Sequence, residues 1–317
     1  MICVLCMFVL LVSLCGSSLA ENDMPSLLDI ACEPTDIIRI SDDTFLVTDA
    51  YYKVVLYLQN GETTLYAGTP THIGLYGEPM GGYRDSNSEL STFRKPWAIV
   101  PFANGYAVTD MNNNCVRYVT DELTETIAGN TISNQVAALD EVEWSRPTGL
   151  AVDENGDLYV SDTGNDRICF INHETGEVKV ICQELSEPTG LSWCNGSLYI
   201  AETGANRILQ WEQATNELTV LAGTGNAEYA DDEASSAAFA WPLGVEAIAD
   251  GTVFIADSGN CAVRMLKDGM VTTLLMADMN ALDQYPSNPQ GMLYTDGVLY
   301  VCDPYANKIY TIDVGEQ

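Results

Sequence analysis

The sequence predicts an all-β protein, a six-bladed β-propeller of four-stranded antiparallel blades, with the last blade completed by the N-terminal strand. Three observations carry this. A proline-led unit recurs six times along the 317 residues, at Pro34, Pro96, Pro147, Pro188, Pro242 and Pro289. Each unit places an acidic residue 14 or 15 positions after its proline, at the end of a short apolar run. The sixth unit stops after three strands, while a strand-like segment with no partners of its own precedes the first. Units of roughly 40 to 60 residues with four short strands apiece are the pattern of blades set around an axis.

Taken in chain order, the first element is not part of the ring. Residues 1–20, "MICVLCMFVLLVSLCGSSLA", are uncharged, apolar and end in small residues. They read as a signal peptide cut after Ala20, leaving 21–317 as a single propeller that is secreted or displayed at the cell surface. No Lys or Arg stands near Met1, so the alternative is an uncleaved N-terminal anchor, for which about 20 apolar residues suffice. Ser26 to Cys32, "SLLDIAC", matches the fourth strands of later units and supplies the strand that the last unit lacks. This closes the ring without an exposed seam.

The unit at Pro147 shows the blade grammar most clearly. "TGLAVD", "LYVSD", "RICFI" and "VKVIC" are apolar, β-branched runs separated by "ENG", "TGND" and "NHETGE" turns. No helical period competes. Three connections between blades are long: 69–95, 130–146 and 224–241, and each carries an aromatic residue three places before its proline, Phe93, Trp144 and Phe239. These rings are expected to tuck between blades. Because strands alternate in direction, the linkers and the turns between second and third strands emerge on one face. Loops on a rigid scaffold are where function concentrates.

"PTGLAVDENGDLYVSDTGNDRI", Pro147 to Ile168, resembles the NHL repeat, and the resemblance extends over residues 26–317. It implies a six-bladed propeller of the exported bacterial kind, related to gluconolactonase-like propellers. It says little about activity, because that fold hosts binding scaffolds, sensor domains, hydrolases and lyases alike.

The unit-ending acids Asp49, Asp110, Asp162, Glu202, Asp257 and Asp303 read as structural turn residues. A carboxylate there can accept turn amides and pair with the base that opens the third strand. Arg167, Arg207 and Lys308 stand five places after their acids, and Lys53 four places after Asp49. Units two and five depart, with Arg117 and Arg264 at seven places. Near the axis, Gly149, Gly190, Gly244 and Gly291 occupy the second position after the proline, where the first unit has Asp36, expected either to bond a neighbouring backbone amide or to face the channel entrance.

Net charge is −32, from 45 acidic and 13 basic residues, which excludes nucleic acid and anionic membrane as partners. Seven cysteines follow Ala20, an odd number with no metal-binding spacing, and they read as small core residues. His72 and His173 are the only histidines, too few for a histidine-built zinc centre, and no nucleophile motif occurs. No cofactor is expected, calcium being the one ion that so many carboxylates leave open. The reading is a monomeric, non-catalytic scaffold that binds a protein, peptide or carbohydrate through its linker face. The candidate ligand residues are Asp36, His72, Tyr83, Arg84, Asp85 and Trp97. The alternative is a calcium-assisted lactonase or lyase of the gluconolactonase-like kind.

Overall fold

The computed structural model describes residues 26–29, 32–75, 77–129, 142–277 and 286–315. The expected leader and the middle of the second long linker lie outside these residues. Six four-stranded antiparallel meanders form the ring. Blade 1 comprises strands a to d at Pro34–Ser41, Thr44–Asp49, Val54–Gln59 and Glu62–Ala67. Blade 3 comprises Pro147–Val152, Leu158–Asp162, Arg167–Ile171 and Val178–Cys182. Blades 4 and 5 begin at strands Pro188–Cys194 and Pro242–Ala247. Blade 2, beginning at Pro96–Phe102, gains a fifth strand that the sequence did not announce, Ser86–Asn87 of its own linker, on the outer strand Leu123–Gly129.

Blade 6 is closed from both ends of the chain. Its strands Met292–Thr295, Val298–Asp303 and Lys308–Asp313 are followed, in space, by Ser26–Asp29. That strand pairs antiparallel with the third, Ser26 opposite Thr311 and Asp29 opposite Lys308.

The core lies between blades rather than inside them. A strand exposes one pleat face to each neighbouring blade, so apolar residues on both faces are consumed and the runs read as nearly continuous. Six apolar clusters result, one per blade interface; that between blades 6 and 1 joins Cys32, Ile37, Val47, Cys302 and Ile309. Phe93, Trp144 and Phe239 are all buried, each wedged into an interface as the linker pattern anticipated. The seven described cysteines are free thiols, five of them buried.

Glycine beside the axis has a steric cause. A Cβ at Gly149 would run into the carbonyl oxygen of Thr189, and one at Gly244 into that of Gln290, so innermost strands approach backbone to backbone. Hydroxyls stitch the same layer: Thr48 donates to the Trp97 carbonyl at 2.8 Å, Thr109 to Thr148 at 2.6 Å and Ser161 to Thr189 at 2.6 Å, each reaching the next blade.

Candidate functional site

The six unit-ending acids are buried, and each grips the linker that enters its own blade. Asp162 accepts from the Ser145 amide at 2.7 Å, Glu202 from Ser186 at 2.9 Å, Asp257 from Ala240 at 2.8 Å and Asp303 from Ser287 at 2.5 Å. Asp110 holds both Arg94 and Lys95 amides, and Asp49 those of Glu33 and Tyr52. Asp162 and Glu202 also pair with Arg167 and Arg207, as their spacing suggests. Lys53 does not reach Asp49; its ammonium turns back to the Ala50 carbonyl.

Blades 2 and 5 depart from that spacing because their arginines do more. Moving the base from five to seven places keeps it on the same strand face but one pleat deeper. Arg117 is fully buried, bonded to Asp110 at 3.3 Å and Asp85 at 2.6 Å, and sandwiched between the rings of Tyr83 and Phe93 at 5.2 and 5.0 Å. Arg264 repeats this with Asp257 at 2.7 Å, Asp231 at 2.5 Å, Tyr229 at 4.6 Å and Phe239 at 5.3 Å. Even the outer contacts match: Tyr83 and Asp85 meet Thr126, and Tyr229 and Asp231 meet Thr273. Two opposite blades thus use one clamp to pin their long linkers.

The clamp changes the standing of two sequence-selected residues. Tyr83 and Asp85 are spent within the fold rather than displayed. Arg84 is exposed at its side chain, while its carbonyl accepts from Arg117 and from the Thr92 amide. His72 lies on an exposed hairpin, His72–Ile73 against Pro79–Met80, where its Nδ1 is 3.1 Å from the Thr71 hydroxyl. Replacing residues 72–90 as one block would therefore remove half of a structural clamp. Only the hairpin, 72–80, can be cut without touching it.

Trp97 and Asp36 come together at the channel. A cavity of about 50 Å³ opens there, lined by Asp36, Trp97, Leu243 and Gln290 between the close-set glycines. That volume admits a few waters, not an organic ligand. Asp36 crosses to blade 2, where its Oδ2 accepts from the Ile99 amide at 2.9 Å. Gln290 is 95 % buried, and its Oε1 has no hydrogen-bond partner. A second carboxylate, Glu246 of blade 5, accepts from Ser192 Oγ and the Tyr294 amide, both at 3.2 Å. Sequence reasoning passed over Glu246, although a Glu two places after Gly244 in "PLGVEA" must share its inward face.

Burial pushes both channel carboxyls up to about 7, with amide donors opposing the shift and Asp36 adding to it at Glu246. An unfolded chain holds these acids near 4. The folded state therefore binds extra protons between about pH 4 and 7, and stability falls as pH rises through that window. Asp36→Asn keeps an acceptor for Ile99 and removes the charge. Relative to the parent it should gain on the order of 2 kcal/mol between pH 5 and 7, from about 1.4 kcal/mol per pH unit. Urea unfolding at both pH values checks this, and a pH-independent gap would refute it.

The fit to calcium is poor on this geometry. Ca²⁺ takes six to eight oxygens, whereas among the described residues no three His, Cys, Asp or Glu side chains gather. Neither histidine is among the channel-lining residues, and His173 is engaged in a turn between third and fourth strands, Nδ1 to Asp157 at 2.9 Å.

The NHL repeat model matches residues 145–169. Teneurin-4 of Mus musculus is 26 % identical over 243 residues, which span 72 % of this chain but only 7 % of that protein. An auxiliary nutrient binding protein from Bacteroides thetaiotaomicron superposes with a TM-score of 0.66 at 14 % identity, over 91 % of this chain and 70 % of the other. Virginiamycin B lyase from Staphylococcus aureus gives 0.61 at 16 %, over 91 % and 98 %. A catalytically inactive His-to-Ala form of that lyase, with quinupristin, gives 0.60 at 15 %, again over 91 % and 98 %. At these identities the superpositions speak to the fold alone.

Proposed function

We propose that this NHL-repeat six-bladed propeller is a non-catalytic scaffold that binds a small ligand over the channel mouth on its linker face. One observation carries the reading. The exposed aromatic side chains among the described residues are Tyr51, Tyr52, Tyr229, Trp241 and Tyr305, with Trp241 64 % and Tyr305 78 % accessible. Tyr229 belongs to the blade 5 clamp and bonds Thr273 on the outer strand. The other four lie in turns between second and third strands or directly before a blade's opening proline, so they share one face. Among the described residues the other face has none. Exposed rings offer contact area at low entropic cost and are enriched where partners bind. A nutrient-binding neighbour with the same fold is consistent with this. The leader-like residues 1–20 would place such a scaffold outside the cytoplasm.

The lyase reading draws support from the buried channel carboxylates and from a lyase of like fold. It is the weaker, because the inactive variant of that enzyme replaces a histidine, and no histidine lines the channel here.

A thermal-shift screen of the full chain against sugars, organic acids and peptides tests the proposal. A ligand should raise the melting temperature by mass action, and the shift should vanish in a Trp241→Ser, Tyr305→Ser double variant. Mass spectrometry should return the ligand unchanged. A shift indifferent to both rings, or a released product, would contradict it.

A further inference from the structure

Thirteen bases face 45 acids in this chain, so a base without a carboxylate partner is conspicuous. Among the described residues four have none within 4.0 Å: Lys53, Arg84, Arg94 and Lys95. Lys53, Arg94 and Lys95 belong to one corner of the linker face, the second turn of blade 1 and the end of the linker entering blade 2. Arg84 stands earlier in that linker, where it runs along the outer strand of blade 2.

The ring geometry sets two of them side by side. In each blade, the turn after the second strand ends on a residue in the left-handed region. In three blades that residue's side chain hooks the amide just before the next blade's proline. Asn114 accepts from Arg146 at 2.9 Å, Asp166 from Glu187 at 2.8 Å and Asn206 from Trp241 at 2.9 Å. In blade 1 the equivalent residue is Lys53, at φ 66°, and the residue before the next proline is Lys95. A lysine cannot accept, and the Lys95 amide goes to Asp110 instead. Blades 5 and 6 make the same substitution, the Asn288 and Glu33 amides going to Asp303 and Asp49. What sets blade 1 apart is that its open position carries a second positive charge beside the first.

Both ammonium groups lie against rings. Lys95 Nζ sits 4.7 Å from the centre of Trp97, which lines the channel, and Lys53 Nζ 6.0 Å from that of Tyr51. Each lysine is held below its ordinary pKa first by burial; the Asp49, Glu33 and Asp110 carboxylates oppose that shift at Lys53, whereas Lys53 and Arg146 add to it at Lys95. An arriving anion relieves the repulsion at Lys95, and a compact ammonium suits an anionic oxygen group as a point charge.

Resting on the linker-face reading above, we propose that this mouth corner takes an anionic small solute, a carboxylate- or phosphate-bearing sugar. Its charged group would sit between Lys53 and Lys95 and its body against Trp97 and Tyr51. Titration calorimetry of the full chain with glucuronate, glucose 6-phosphate and glucose is the test. At least one charged sugar should bind saturably and glucose should not. Which charged sugar binds separates carboxylate from phosphate. Lys53→Gln with Lys95→Gln should weaken binding tenfold or more without altering the far-ultraviolet circular dichroism, and Lys53→Arg with Lys95→Arg should restore it. Failure of both charged sugars to bind, or unweakened binding by the Gln pair, overturns the anion assignment. Glucose binding that disappears in the Trp241, Tyr305 variant overturns it too, while leaving the linker-face reading standing.

Discussion

Arg264→Met is expected to lower the unfolding free energy by about 3–5 kcal/mol, the range for removing one partner of a buried ion pair. Arg264 is fully buried, and its loss strands two carboxylates, Asp257 inside and Asp231 in the linker. It also frees the Ala230 and Ala238 carbonyls and empties the space between Tyr229 and Phe239. Burial already pushes the Asp257 carboxyl up, with Arg264 among the groups holding it down. Without that arginine its pKa should rise further above the unfolded value. The defect should then be smaller at pH 5 than at pH 8, because a carboxyl whose folded pKa is raised favours the native state as pH falls. Denaturant unfolding at both values measures this. A loss under 1 kcal/mol would mean that the linker is not held by the clamp. Arg117→Met should behave alike in blade 2, because the contacts repeat.

Deleting residues 21–31 is expected to cost on the order of 3 kcal/mol, at about 1 kcal/mol for each ladder hydrogen bond lost. The strand Ser26–Asp29 is the outermost of blade 6, and four of its residues are in register with Lys308–Thr311. Its loss would leave Lys308–Asp313 as a bare edge, open to pairing with another chain. The deleted form should melt earlier and self-associate, as followed by calorimetry and light scattering. An unchanged melting temperature would contradict the two-ended closure of blade 6.

The ring was legible because its signal is repeated. Six prolines and six acids at a nearly fixed interval leave little freedom, and the strand missing at Gln317 is matched by a surplus one at Ser26. The clamps were harder to see, although their signature is in the sequence. Tyr83, Asp85 and Phe93 recur at the same spacing as Tyr229, Asp231 and Phe239, and only those two blades shift the arginine. The pairing joins a linker to a strand 32 or 33 residues away, and neither local propensity nor periodicity reports a contact at that separation. Tyr83 and Asp85 have the composition of a binding loop, and composition does not distinguish a side chain stapled beneath a loop from one displayed above it. Lys53 and Lys95 were passed over for the related reason that their adjacency comes from ring geometry, not from sequence distance.

The most direct test of the account is amide hydrogen exchange on the full chain, with and without saturating glucose 6-phosphate or glucuronate, whichever binds. The account predicts added protection confined to residues 50–53 and 94–97 around Lys53 and Lys95. The turns at 172–177 and 213–216 on the opposite face should exchange as before. Protection at those opposite turns, or none at 50–53 and 94–97 while calorimetry reports binding, would contradict a ligand seated on the linker face.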